Sequence, residues 1–385
     1  MIRFRPFEKV FPARFMSRPN RFLVICEYGG ALIRAFLPNP GRLLELLLPG
    51  STLYLIAAET HEERKTSYTV VAVERDRRLI MLHTHRTNDA ARYIIEAGKL
   101  PGFEKARILR AEVPLGHSRF DFLLDHEGRS IYLEVKSVTL FGKRVAMFPD
   151  AITARGARHL GELKALSEEG VGTAVLFMVH WPDADIFMPD FHTDPAFARA
   201  FLSVRDRVPV IPLALGWGRE LTLDGEVKLL HIPWDYIEEE ARDRGSYLLI
   251  LRLREETVVS VGSLGSMSFR AGYYIYVGSA MANLGKRMER HGRLRKRHHW
   301  HIDALRAVSD VRAILAIRAS IRLECEIAAA VSALADWSVR DFGSTDCACP
   351  THLFGMVQDP LETRPFHDLL QYFRMDRYRQ SGPAS

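Results

Sequence analysis

Three side chains near the middle of the chain have the types and spacing of a hydrolytic site that works with a metal. They are Asp121, Glu134 and Lys136, in the pattern D, twelve residues, E-x-K (134 − 121 − 1 = 12). Two carboxylates can hold a divalent cation through hard oxygen ligands. A neighbouring lysine can orient or help deprotonate the attacking water, while the cation stabilises charge on phosphate oxygens. Phosphodiester hydrolysis is the reaction this equipment suits. Glu112, in RAEVPLG just upstream, offers a third carboxylate. The competing reading is a solvated cross-strand Glu and Lys pair worth roughly a few tenths of a kcal/mol. Against it, these charges sit in segments rich in Ile, Leu, Val and Phe, where an unpartnered charge is costly.

The elements that must position them are two strands. In SRFDFLL, alternation puts Arg119, Asp121 and Leu123 on one face and Phe120, Phe122 and Leu124 on the other. The same rule places Glu134 and Lys136 together in IYLEVKSV, and the turn DHEGR joins the two segments. Around them the pattern predicts a helix over 88–97, a second over 156–167 and an apolar strand at TAVLFMVHW, an alternation that implies an α/β core. Arg155, Arg158 and His159 fall near the start of the second helix, where backbone donors attract anions, and are candidate phosphate contacts.

The first 85 residues predict five short strands, RFLVICEY, ALIRAFL, STLYLIAAE, SYTVVAVE and LIMLHT, with a helix-like LLELLL between them. Five such strands fit an OB-like barrel. Arg42, Arg64 and Lys65 are candidate phosphate contacts from it, with solvated surface as the competing reading. WDYIEEEARDRG, residues 234–245, is charged and predicts a domain boundary. The expected division is a barrel over 1–85, a core over 86–235, a linker over 236–244, a C-terminal domain over 245–358 and a tail over 359–385.

Composition bounds the rest. The chain has 385 residues, 47% of them hydrophobic and 26% charged, which is material for two or three domains and excludes a disordered chain. No stretch has the roughly 18 to 20 uncharged apolar residues of a membrane helix, and the first fifteen residues lack an apolar signal region, so the expected location is the cytoplasm without membrane attachment. Lys plus Arg 53 against Asp plus Glu 47 gives a net +6, a mild bias toward polyanions. The bias is concentrated where Lys286, Arg287, Arg290, Arg293, Arg295, Lys296 and Arg297 face one acid, Glu289. Such a run predicts phosphate contacts with nucleic acid that give affinity without sequence preference. Four cysteines make no disulfide framework. Cys347, Cys349 and His352 are candidate zinc ligands, with His299 or His301 completing a tetrahedron; buried reduced thiols are the alternative.

The words RPNRFLV, LPNPGRLLELLLPG, GHSRFDFLL, LEVKSVTL, AMFPDAITARGARHLGELKAL and FMPDFHTDPAF, in this order, resemble the sugar fermentation stimulation protein A family over residues 7–235. The resemblance implies an OB-like barrel followed by a core similar to the PD-(D/E)xK nucleases, DNA binding, and Mg2+ or Mn2+ at Asp121 and Glu134 with Lys136 beside them and Glu112 on an upstream acidic position. GSYLLIL and YYIYVGSAMANLGKRMERH resemble the two halves of a GIY-YIG nuclease motif. With WHID and FGSTDCACPTHLF they are similar to the GIY-YIG-related domain found fused to endonuclease III homologues. That resemblance implies catalytic places for Tyr247, Tyr276 and Arg287 and a metal-binding place for Glu324. The two tyrosines are 29 residues apart (276 − 247 = 29), which implies an inserted hairpin. The expected function is a DNA-binding protein with metal-dependent nuclease sites. The alternative is a non-catalytic DNA-binding regulator of sugar metabolism built on nuclease-derived folds.

Overall fold

A computed structural model describes residues 4–58, 66–115, 118–223, 227–295, 297 and 299–378. Arg64, Lys65, Lys296, His298 and the final residues 379–385 lie outside the described residues. The chain forms two compact units. The first comprises 1–190 and 194–234, the second 191–193 and 235–385.

The first unit opens with β1 (Phe11–Asn20), β2 (Leu23–Tyr28), β3 (Ala31–Phe36), β4 (Thr52–Ala57), β5 (Tyr68–Arg75) and β6 (Arg78–Met81). The pairings run β3-β2-β1-β4-β5, and a parallel β3–β5 contact closes the ring into a five-stranded OB-like barrel. The five strands differ from those expected. β1, whose FPARFMSRPN mixes prolines and cations, is in the ring, while the LIMLHT segment gives β6, which pairs outside it on β5. The expected LLELLL helix is a turn instead. Leu43 takes a positive φ of 52°, and Leu43, Leu46, Leu47 and Leu48 are all buried, so these residues fill a core from a loop, where helical periodicity is not required.

The core of this unit follows as α1 (Thr87–Glu96), β7 (Arg107–Leu115), β8 (Ser118–His126), β9 (Arg129–Val138), β10 (Leu140–Phe141), β11 (Val145–Phe148), α2 (Ala154–Glu168), β12 (Gly172–Val179), β13 (Ile186–Pro189), α3 (Pro195–Ser203), β14 (Val210–Ala214) and β15 (Lys228–Leu229). Its main sheet has the order β15-β14-β12-β9-β8-β7. β9 runs parallel to β12 and antiparallel to β8, so it is an interior strand. One face buries Phe122, Leu124, Leu133, Val135, Ala174 and Leu176 with the Ala90, Ala91, Ile94 and Ile95 face of α1. Apolar burial, at roughly 25 cal/mol per Å², is the main favourable contribution to folding of such a core. The opposite face carries Asp121, Glu134 and Lys136, and Glu134 meets His159 of α2 there.

The division between units falls within α4 (Trp234–Glu240), so the segment expected as a linker starts as a helix that buries Ile237 and Glu240. The second unit then forms β16 (Gly245–Leu253), β17 (Thr257–Ser260), β18 (Ser266–Phe269), β19 (Gly272–Ala280), α5 (Leu284–Gly292), α6 (His301–Ala307), β20 (Asp310–Arg318), α7 (Glu324–Ser332), β21 (Trp337–Ser338), β22 (Leu353–Met356) and α8 (Arg364–Gln371). The sheet order is β20-β16-β19-β22-β21, antiparallel throughout. β17 and β18 form a separate two-stranded hairpin inside the interval between the two tyrosines. One face of the sheet buries Tyr247, Leu249, Leu251 and Tyr276; the other buries Leu248, Ile250, Ile275 and Val277 against α7 and α8. The residues after 358, expected as a tail, therefore belong to the core, because Phe366, Leu370 and Phe373 recur at the spacing that gives one apolar helical face.

Candidate functional site

The central site forms where β8 and β9 part. Their pairing starts at Phe122 with Leu133 and runs toward the hairpin turn. Just beyond it, Asp121 Oδ2 accepts from Val135 N at 2.7 Å, so a side chain takes the donor that a ladder carbonyl would otherwise satisfy. Asp121 Oδ1 accepts from Asn88 Nδ2 of α1 at 2.7 Å. Burial, then the charge of Glu134, push the Asp121 carboxyl up to about 6 from its ordinary 3.8. Glu134 goes the other way. Burial alone would raise it, but the His159 hydrogen bond and the adjacent Lys136 ammonium outweigh burial and hold it below the ordinary value. The two carboxyl groups thus differ in proton affinity because the His159 and Lys136 contacts outweigh burial at Glu134, whereas the Val135 and Asn88 donors do not outweigh burial and the charge of Glu134 at Asp121.

Glu134 Oε1 meets Lys136 Nζ at 2.5 Å and His159 Nδ1 at 2.6 Å. Arg155 Nε donates to His159 Nε2 at 3.3 Å, which assigns the ring proton to Nδ1, aimed at Glu134. Glu134 Oε2 is buried and has no hydrogen-bond partner among the described residues. A lone acceptor of this kind costs roughly 1 to 3 kcal/mol unless something completes it. Around it lies a cleft of about 630 Å³ whose walls include Glu112, Asp121, Glu134, Lys136, Asp150 and Arg155.

Glu112 lines this cleft from β7, but it is half exposed, takes a φ of 55° and is ion-paired with Arg119 at 2.7 Å. Asp150 and Asn88 join the site without having been singled out from the sequence. Asp150 closes the cleft beside the barrel loop: its Oδ2 accepts from Leu43 N at 3.1 Å, and a Cβ on Gly41 would strike its carboxylate. Burial raises its proton affinity. Of the expected phosphate contacts, Arg155 reaches the cleft wall, whereas His159 is buried as the support of Glu134. Arg158 stays exposed, 3.7 Å from Glu162, and Arg42 donates to the Asp150 carbonyl oxygen at 2.6 Å. Next to the site, buried His180 accepts from Trp217 Nε1 at its Nδ1, leaving Nε2 to donate to Ser137. Burial drives His180 down to about 3, so the ring is neutral.

In the second unit Tyr247, Tyr276, Arg287 and Glu324 converge on one cleft of about 360 Å³, with Trp300 and His301 among its walls. Gly278 opposes Tyr247 across β16 and β19, and a Cβ there would fall against the tyrosine ring and hydroxyl. Tyr247 Oη lies 2.9 Å from His291 Nε2, and His291 Nδ1 lies 3.8 Å from Asp303 Oδ1. Burial holds both tyrosine hydroxyls above their ordinary range. Glu324 Oε2 accepts from Ser279 at 2.5 Å, while His352 Nδ1 lies 3.3 Å from Oε1. Burial would raise this carboxyl, but these two partners hold it low.

The basic run divides by role. Arg287 and Arg290 both lie 4.2 Å from the centre of the Trp300 ring, and Arg290 also bonds both oxygens of fully buried Asp303, so Arg290 serves the packing rather than an open surface. Arg293, Arg295 and Arg297 are exposed. The ligand atoms of Cys347, Cys349 and His352 gather with that of Cys325, all within 4.8 Å of one another. His299 and His301 line the tyrosine cleft instead, so Cys325 takes the place expected for one of them. Its membership was hidden because it comes from α7, 22 residues before Cys347 (347 − 325 = 22).

An OB-like barrel leading into a mixed sheet with an acidic and lysine cleft is matched by two families, "SfsA N-terminal OB domain" over residues 16–82 and "Sugar fermentation stimulation protein RE domain" over 85–220. The sugar fermentation stimulation protein homolog of Moorella thermoacetica is 45% identical over 187 residues, covering 48% of this chain and 81% of that one. That of Methanothermobacter thermautotrophicus is 39% identical over 202 residues, covering 52% and 84%. The chain belongs to the sugar fermentation stimulation protein family. The structure of Pyrococcus furiosus SfsA in complex with Ca2+ is similar with a TM-score of 0.55 at 28% identity, covering 60% of this chain and 99% of that one. Residues 246–374 match "Domain of unknown function DUF123". No helix among the described residues is long and apolar enough to cross a membrane.

Proposed function

We propose that this protein binds DNA and hydrolyses its phosphodiester bonds at the Asp121, Glu134 and Lys136 cleft, a site of the PD-(D/E)xK type. The observation that carries this reading is Glu134 Oε2, a buried oxygen without a partner among the described residues, beside a second carboxylate and an ammonium at the wall of an open cleft. Hard oxygen donors of this kind fit Mg2+ or Mn2+, and the Ca2+ complex of the Pyrococcus furiosus relative supports an oxygen-seeking cation. Asp121 and Glu134 would hold the ion, which supplies charge stabilisation at the phosphate oxygens. Lys136, tethered to Glu134 Oε1, orients the attacking water and draws on its proton. His159 fixes Glu134 through its Oε1 and leaves Oε2 free for the ion, and Arg155 adds a cation to the wall for phosphate.

We read the second unit as a GIY-YIG-like domain, a reading supported by the one cleft that Tyr247, Tyr276, Arg287 and Glu324 share. We assign it DNA binding through Arg293, Arg295 and Arg297, with Lys296 of the same run outside the described residues. The domains in this reading are the barrel to residue 85, the nuclease-like core to 235 and the GIY-YIG-like domain from 245.

The test incubates full-length protein with single-stranded, duplex and branched DNA in Mg2+, Mn2+ or chelator. Asp121→Ala and Glu134→Ala should abolish cleavage that depends on metal, while Glu324→Ala retains it. Equal cutting by the wild type and both central variants refutes the assignment. Binding without cleavage in every arm refutes hydrolysis in favour of a non-catalytic DNA-binding role.

A further inference from the structure

The second unit holds a cluster that neither cleft uses. Cys325 lies in the first turn of α7, Cys347 and Cys349 in the loop before β22, and His352 immediately ahead of that strand. Their three sulfurs and one ring nitrogen lie within 4.8 Å of one another, and all three thiols are free. Three cysteines and one histidine are a common ligand set of structural zinc.

The geometry has the right scale. With Zn–S near 2.3 Å and Zn–N near 2.0 to 2.1 Å, a tetrahedron separates a sulfur from a nitrogen by about 3.5 Å. Cys347 Sγ and His352 Nε2 are 3.4 Å apart. Coordination through Nε2 leaves the ring proton on Nδ1. His352 is buried, and its Nδ1 has no hydrogen bond among the described residues while facing Glu324 Oε1 at 3.3 Å. Histidine ligands of metals commonly donate their second N–H to a carboxylate, which fixes the ring and strengthens the ligand.

We propose that Cys325, Cys347, Cys349 and His352 form a tetrahedral zinc site, and that His352 links this site to Glu324 in the wall of the tyrosine cleft. The ion ties α7 to the 342–352 loop. Its structural role is independent of any cutting. The positioning of Glu324 rests on reading that cleft as functional, whereas occupancy by zinc does not.

The experiment measures metal content of the full-length protein, purified under reducing conditions, by elemental analysis and native mass spectrometry, after loading with Zn2+ and removal of excess. The wild type should carry about one zinc per chain. Cys325→Ser and Cys349→Ser should each lower zinc affinity more than tenfold. Glu324→Gln should weaken it by about 10 to 100-fold, the usual range for a carboxylate behind a metal-bound histidine. His352→Cys should retain zinc as a four-cysteine site, which separates loss of a ligand from misfolding. Co2+ substitution should give the visible absorption of tetrahedral cobalt thiolate in the wild type. Zinc retained unchanged in Cys325→Ser overturns the ligand set, as does a metal-free chain two hydrogens lighter through a disulfide. Iron at the site overturns the choice of zinc.

Discussion

Asp121 provides a test of how the central site is built. In the absence of metal its carboxyl is pushed up to about 6, against 3.8 ordinarily, by burial and by the charge of Glu134. At about 1.36 kcal/mol per pKa unit, the ionised group disfavours the folded state by roughly 3 kcal/mol at neutral pH. The folded state holds this proton more tightly than the unfolded state does. The penalty is therefore absent below about pH 4, grows between pH 4 and 6, and is full above 6. Asp121→Asn removes it. The amide oxygen can keep the Val135 N–H, and Asn88 can turn its own amide to accept from the new NH2, at a cost of about 1 kcal/mol. The net expectation in chelator is a variant about 2 kcal/mol more stable than wild type at pH 7 and equal or slightly less stable at pH 4. Hydrogen exchange on peptides covering β8 and β9 reads this unit by itself. Adding Mn2+ reverses the order, since a ligand at 100 times its Kd contributes about 2.7 kcal/mol and the variant has lost a donor. A variant less stable than wild type at pH 7 in chelator, or a difference that does not change with pH, refutes the picture of Asp121 as a like-charged partner of Glu134.

Neutral His180, held at about 3 against 6.5 by burial, should cost the first unit up to about 5 kcal/mol as pH falls from 6.5 to 3, because the unfolded state gains a proton that the folded state refuses; His180→Gln should flatten that part of the stability profile, and an unchanged slope would acquit the residue. Reversing charge at Arg293, Arg295 and Arg297 should weaken binding to all DNA sequences alike and reduce the slope of log affinity against log salt by about 0.9 for each phosphate that is no longer neutralised; an unchanged slope removes these residues from the interface. Gly278→Ala should lower stability of the second unit by about 1 to 3 kcal/mol, since the added methyl meets the buried Tyr247 ring; an unaltered thermal melt would show that the ring can move at no cost.

The face assignments of Asp121, Glu134 and Lys136 were legible because strand alternation is a local rule, and the buried Phe120, Phe122 and Leu124 beside them follow it. The barrel was legible in kind but not in strand identity. The FPARFMSRPN segment lacks an alternating apolar pattern because only Ala13 and Phe15 of β1 are buried. LLELLL misled for the opposite reason: an apolar run records burial, and burial can be met from a turn as well as from a helix. The 359–378 stretch reads as a tail because its apolar positions are interspersed with charges. Phe366 and Leu370 lie on one face of α8 and Phe373 follows at the next turn, which is enough to place the stretch in a core.

What the sequence concealed about the sites has a common physical form. Glu134 is supported by His159, 25 residues away, and Glu324 is approached by His352, 28 residues away (352 − 324 = 28); Tyr247 has His291 at 44. Each partner sits on a different element, so no spacing rule connects it to the group it serves. A buried carboxylate or hydroxyl needs a partner, but chemistry fixes only that partner's type, not its position in the chain. The same reasoning explains why Cys325 was missed while Cys347 and Cys349 were not. Two candidate ligands separated by one residue stand out locally, whereas the cysteine that closes the cluster comes from the start of a helix laid down earlier in the chain. Supporting histidines and distant ligands are therefore the parts of such sites that folding has to reveal, and in this protein they decide how Glu134 and Glu324 are held.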